Sequence, residues 1–184
     1  MSSLIYTYTG KLIDPLHPQI EDIDYRDIIH ALSNMPRFGG HANEFLSVAY
    51  HSLWVSQSCD PKDAKAALLH DASEAYLHDI QTPLKNSEVF AHYREAEKNL
   101  MAVIFERYGL PWNGSLPPSV IRADARALCV EARRFLACTP ETQPWLESLG
   151  KDPGDIYLTP SPSEAKVMFA ERFNDLFFNP KMSF

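Results

Sequence analysis

The chain has 184 residues, of which 45% are apolar, 22% charged and 11% aromatic, a balance that suits one core-forming domain and fits neither the disordered nor the collagen-like class. The formal charge of −7, from 24 acidic and 17 basic residues, argues against a surface that draws its affinity from the phosphates of long nucleic acid. It leaves room for a small phosphate ester, because a bound metal ion dominates its local field.

Cys59, Cys129 and Cys138 form no CxxC pair, which disfavours a disulfide framework and a cysteine zinc site and makes the reducing cytoplasm the expected compartment. There is no apolar run of about 18 residues, so no membrane span is expected. The opening MSSLIYTYTGKLIDPL lacks the basic-then-apolar order of an export signal.

In chain order, the segment from Leu4 to Ile13 contains IYTYTGKLI, a weak hairpin signal around Thr9-Gly10-Lys11, closed by Pro15 and Pro18. Ile28, Ile29 and Leu32 behind an acidic start predict a helix from about Asp24 to Asn34, stopped near Pro36. Gly39 and Gly40 make a loop that carries Arg37 and His41. Phe45, Val48, Ala49, Leu53 and Val55 recur at helical spacing. Asp60-Pro61 opens the next helix, predicted to run to about Leu77, and Thr82-Pro83 marks a loop. Ser87 caps a long helix that ends at Gly109, and another spans Ser119 to about Leu136. Residues 139–160 read as an ordered loop with one turn around Trp145 to Leu149. Ser161-Pro162-Ser163-Glu164 is a capping box that opens a final helix to about Phe178. The expected fold is all-α, a single bundle of five to seven helices with a small N-terminal β-hairpin.

Four ionisable residues sit where apolar ones are expected. His51 lies three residues after Val48 and four before Val55, on a stripe that should face the core. His70 and Asp71 follow Leu68-Leu69 directly, with Glu74 three and four residues farther on. Asp124 is four residues after Val120, three after Ile121 and four before Leu128. An unpaired buried charge costs several kcal/mol. Each residue alone reads as a satisfied core histidine or a structural carboxylate; together they are most economically explained if they converge. Two imidazoles and two carboxylates suit a divalent first-row cation with room left for water.

The set His51, His70-Asp71-x-x-Glu74 and Asp124 resembles the HD-domain metal-dependent phosphohydrolases, and the run HDASEAYLHDIQTPLK resembles their nucleotidase branch. The similarity covers roughly residues 25–135 and extends to the N-terminal TGK and R-F-x-G-H segments of small phage and bacterial members, dATP triphosphohydrolases among them. It implies His51, His70, Asp71 and Asp124 as ligands of one divalent ion, with Mn, Co, Zn, Fe and Mg not separable. It further implies Arg37 as a phosphate contact and Glu74 and Asp79 as catalytic carboxylates.

Chemically, Glu74 would take or orient the proton of an attacking water, while Asp79 would protonate the leaving oxygen or anchor a second, substrate-borne metal. His41 and Lys85 join the candidate substrate contacts as further phosphate-facing cations or donors. Phe38 follows Arg37 where deoxynucleotidases usually carry tryptophan, which leaves monophosphate and triphosphate substrates both open. Two other readings stand beside these: an HD phosphodiesterase acting on a cyclic or signalling nucleotide, and a non-catalytic helical nucleotide-binding module. The terminal Phe173, Leu176, Phe177, Phe178 and Phe184 suggest more aromatic surface than one helix buries, and hence a homo-oligomer.

Overall fold

Alternating β-branched and aromatic residues on either side of Gly10 form a short hairpin, β1 (Ile5–Tyr6) and β2 (Leu12–Ile13), antiparallel with Ile5 opposite Ile13 and Tyr6 opposite Leu12. Gly10 takes a φ of 86°, the left-handed region that a side chain disfavours. Asp27 of the first helix fastens the hairpin to the bundle: its carboxylate accepts from Thr9 N at 2.7 Å and Thr9 Oγ1 at 2.9 Å. The computed structural model describes residues 4–154 and 158–179.

Among the described residues the other regular elements are helices: α1 (Tyr25–Asn34), α2 (Val48–Ser58), α3 (Ala64–Leu68), α4 (Glu74–Leu77), α5 (Thr82–Lys85), α6 (Ala91–Arg107), α7 (Pro118–Phe135), α8 (Gln143–Ser148) and α9 (Pro162–Phe177), with short 3-10 turns between them. This is the expected all-α fold with its small hairpin. Among the described residues nine α-helices replace the expected five to seven because the segment from 60 to 77 is broken in two and because Thr82-Pro83 opens a turn of helix instead of a loop. No helix of the described residues is long and apolar enough to cross a membrane.

Among the described residues three α-helices are capped by side chains, whereas the expected caps Asp60 and Ser87 make no such bond: Ser87 Oγ donates to Leu84 O instead, and a 3-10 turn over Glu88–Phe90 precedes α6. Asp24 accepts from Arg26 N, Ser47 accepts from Tyr50 N, and Ser161 with Glu164 closes a reciprocal capping box. Helix α2 is the axis of the fold. Every residue from Val48 to Ser56 is buried, as a helix packed on all sides requires, and its neighbours are α1, α3, α7 and α9. Arg172 of α9 donates to Ser56 Oγ at 3.2 Å and to Ser56 O at 3.0 Å, putting a cation at the C-terminal end of α2, where the helix dipole favours it.

Ile28, Leu32, Phe105, Phe135, Phe169 and Phe173 lie in the same core at 1% exposure or less. Each such side chain contributes about 1.5–3 kcal/mol through removal of apolar surface from water. Much of the C-terminal aromatic run is satisfied inside this fold. Phe173 is fully buried and stacks on Tyr25 at 5.1 Å and on Phe177 at 4.5 Å. Phe178 is 58% exposed but packs edge-on against Tyr25, and Phe184 lies outside the described residues. Of this run, Phe173 is wholly internal, Leu176 and Phe177 are half-buried, and Phe178 stays exposed.

Candidate metal centre

Three segments deliver the site. Helix α2 carries His51 at 0% exposure, in line with Val48 and Val55 as its spacing predicts. The chain then leaves α3 at Leu68 and runs through a turn over Leu69–Ser73 before α4 begins at Glu74. This break corrects the expected continuous helix. In an α-helix adjacent residues diverge by about 100°, so His70 and Asp71 would not share a target, whereas the turn aims both at His51. The turn is stabilised by His70 itself. Its Nδ1 donates to Ala67 O at 2.7 Å, competing with the backbone for that carbonyl.

Helix α7 supplies Asp124, and here too the sequence reading needs adjustment. Ile121 is 52% exposed, so the buried stripe runs through Val120, Ala123, Ala127 and Val130 with Asp124 at its margin. The Asp124 side chain is 44% exposed against 19% for Asp71 and 0% for His51, so the cluster is closed from below and open beside α7.

His51 Nε2 and His70 Nε2 face each other at 3.2 Å. Asp124 Oδ1 is 3.1 Å from His51 Nε2 and 3.9 Å from His70 Nε2, while Asp71 Oδ2 is 3.6 Å and 3.2 Å from the same two atoms. The ligand atoms of His51, His70 and Asp124 all lie within 4.8 Å of one another. Both Nδ1 atoms are committed elsewhere, His51 to Glu131 Oε1 at 2.8 Å and His70 to Ala67 O, which leaves the Nε2 lone pairs as the inward donors. Two such lone pairs at 3.2 Å repel unless a proton or a cation lies between them. A cation at about 2.1 Å from each nitrogen would subtend an angle of roughly 100°, within the range of tetrahedral and cis-octahedral sites. The donor set therefore fits a divalent ion.

The electrostatics agree. Desolvation and the Arg37 charge both depress the His51 pKa, but Glu131 and Asp124 outweigh them and push it up to about 10, the mark of a centre whose acidic partners attract positive charge. Burial opposes ionisation of Asp124, yet its hydrogen bond to His51 and the charges of His51, His70 and Arg37 hold its carboxyl well below the usual carboxylate range.

Glu131 is the residue that sequence reasoning missed. Fully buried, it accepts from His51 through Oε1 and from Arg37 Nε and Nη2 through Oε2, at 3.2 and 2.9 Å. It follows Asp124 by seven residues, two turns along the same face of α7, and that register was the available signal. Arg37 also approaches Asp71 Oδ2 to 3.8 Å with Nη1. Its backbone N donates to Leu46 O at 2.7 Å, and a bridge between Pro36 and Ser47 pins the whole segment to the start of α2.

Glu74 is 4% exposed, with Oε1 at 3.7 Å from Lys85 Nζ and Oε2 without a hydrogen-bond partner. Burial, followed by the charges of Asp71 and Asp79, raises its pKa well above the ordinary carboxylate value. Lys85, an expected substrate contact, donates to Glu97 Oε1 at 2.6 Å and is not among the residues that line the neighbouring cavity. Asp79, its own pKa raised by burial, lines a cavity of about 470 Å³ together with Arg37 and the exposed His41. Phe38, Leu128, Leu136 and Trp145 form its apolar wall. His78, with a φ of 67°, makes the turn that releases Asp79 from the end of α4.

No family model matches the chain. An uncharacterized protein of Rhodobacter capsulatus is 37% identical over 134 residues, which cover 68% of this chain and 67% of that protein. The uncharacterized protein YfdR of Escherichia coli is 39% identical over 174 residues, covering 95% of this chain and 96% of its own length. At that identity and near-complete mutual coverage, the chain belongs to the same family as YfdR.

Proposed function

We propose that the chain is an HD-type metal-dependent phosphohydrolase that cleaves a phosphate ester or anhydride of a (deoxy)nucleotide. The observation that carries this reading is the pair of imidazole Nε2 atoms 3.2 Å apart, flanked by Asp71 and Asp124, beside a cavity that Arg37 and Asp79 line. A divalent ion held by His51, His70, Asp71 and Asp124 would supply Lewis-acid chemistry: it would polarise a phosphate oxygen and lower the pKa of a water toward neutrality.

The protein side of the mechanism rests on three groups. Arg37, oriented by Glu131, brings a guanidinium to the cavity wall, where phosphate oxygens match its planar donors. Glu74 carries a buried carboxylate oxygen with no hydrogen-bond partner, and burial raises its affinity for a proton, as a group that takes a proton from water requires. Asp79 lines the cavity with a raised pKa and so holds a proton more readily than an ordinary carboxylate, as a group that protonates a leaving oxygen must. Burial and then the charges of Asp71 and Asp79 raise the Glu74 pKa, while burial and the charge of Asp71 raise that of Asp79 against the opposing charge of Arg37.

The test is a panel of deoxynucleoside mono- and triphosphates incubated with the metal-loaded protein, with the released phosphate species identified. Orthophosphate from monophosphates supports a nucleotidase and tripolyphosphate from triphosphates a triphosphohydrolase. Release of neither from any of them refutes the reading.

A further inference from the structure

We propose that the cavity beside the metal centre is a nucleobase site and that Trp145 of α8 is the aromatic face that receives the base. The inference rests on the reading above only for the phosphate end of the ligand.

Trp145 is 44% exposed although it belongs to a helix that is firmly attached. Leu146 beside it is 4% exposed, and Arg133 of α7 donates to Leu146 O at 2.7 Å and to Gly150 O, clipping both the body and the end of α8 onto α7. The indole is therefore presented at the cavity by a fixed support. Such a large aromatic left half-open at the rim of a concave site is poised to gain apolar contact from a ligand.

A second aromatic wall is built at some conformational expense. Phe38 has a φ of 56°, in the left-handed region that bulky residues rarely adopt. Gln81 Nε2 donates to Phe38 O at 3.4 Å, and a Cβ at Gly39 would meet that same nitrogen at 2.7 Å, so the turn is shaped to let Gln81 close on it. The result holds the Phe38 ring in the cavity wall, 5.6 Å from the Arg37 guanidinium carbon.

The occupant follows from the lining. Two aromatic rings and the aliphatic Leu128 and Leu136 suit a flat apolar body, while Gln81 and Asn86 offer amide groups to polar ring edges. A sugar would need more polar walls, and an acyl chain would make no use of the amides. A volume of about 470 Å³ is in the range of ligand pockets, roughly 300–1,000 Å³. Arg37 and Asp79 set the charged end toward the metal centre.

The experiment uses the full chain and ligands that lack phosphate. The four deoxynucleosides are titrated to millimolar concentration while tryptophan emission is followed, with inorganic phosphate as the control. Trp54 is buried and Trp112 packs on Phe105 at 4.9 Å, so a ligand-dependent change is expected from Trp145. At least one deoxynucleoside should quench the emission, and Trp145→Phe should abolish the quench while calorimetry still detects binding. Trp145→Ala should bind that ligand about 5- to 150-fold more weakly, the range corresponding to ~1–3 kcal/mol of base stacking. Deoxynucleoside affinity unchanged in Trp145→Ala, or no binding of any deoxynucleoside or its monophosphate, overturns the proposal. Trp145-dependent binding without hydrolysis supports the base site and defeats the phosphohydrolase reading. Hydrolysis with the same KM in Trp145→Ala does the reverse.

Discussion

Replacing Glu131 by glutamine keeps the shape of the side chain and removes the charge that joins Arg37 to His51. The carboxylate accepts from both partners, with His51 Nδ1 at 2.8 Å and Arg37 Nη2 at 2.9 Å. A glutamine has one acceptor oxygen, so its amide N–H must confront one of these donors. Outer partners that fix a metal-binding imidazole are worth about 10–100-fold in metal affinity. The charge pair adds a folding contribution: breaking a buried pair costs about 3–5 kcal/mol, and the 13% exposure of the Arg37 side chain puts the expectation near the lower end, about 3 kcal/mol. Calorimetric titration of the metal-free protein with Mn²⁺ or Zn²⁺ measures the first effect, and urea unfolding measures the second. Metal affinity within twofold of the parent, with the same loss of stability, would show that Glu131 is a structural ion-pair partner alone and refute its role in setting the His51 donor.

Asp71→Ala should lose metal by more than the ~10–100-fold expected of an outer partner and lose turnover with it, while far-UV circular dichroism stays helical; hydrolysis by metal-free Asp71→Ala contradicts the assignment. Glu74→Gln should keep the metal and reduce the rate by about 10²–10⁴-fold. Because burial raises the folded-state pKa of Glu74 above 4.5, the native metal-free protein holds a proton there that the unfolded chain releases. Stability of the metal-free protein should therefore fall as pH rises above 4.5, and Glu74→Gln should flatten that slope in urea unfolding measured at several pH values. Phe169→Ala, in the core at 0% exposure, should destabilise by about 3–5 kcal/mol without changing metal stoichiometry, as read by thermal unfolding and metal analysis.

The helices were legible where periodicity and caps coincide, as at α1 and α9, because burial of one stripe and satisfaction of the first N–H groups are local requirements. The break after Leu68 was not, since no glycine or proline marks it: a histidine side chain competes for a carbonyl, and that contact is visible only when the chain is folded. The four candidate ligands stood out as charges on apolar stripes. Glu131 did not, because an acidic residue in a helix ordinarily reads as solvated, and its burial depends on Arg37, 94 residues earlier in the chain. The burial of Phe173 was likewise not legible, because Tyr25 and Tyr108, which pack on it, come from distant elements.

The most direct measurement is a titration of metal-stripped protein with a divalent cation while phosphate release from the deoxynucleotide panel is followed. The account predicts that activity appears in step with cation binding, saturates at one ion per chain, and is absent from Asp71→Ala. A protein that binds no divalent cation at this centre, or hydrolysis whose rate is indifferent to metal removal, would contradict it.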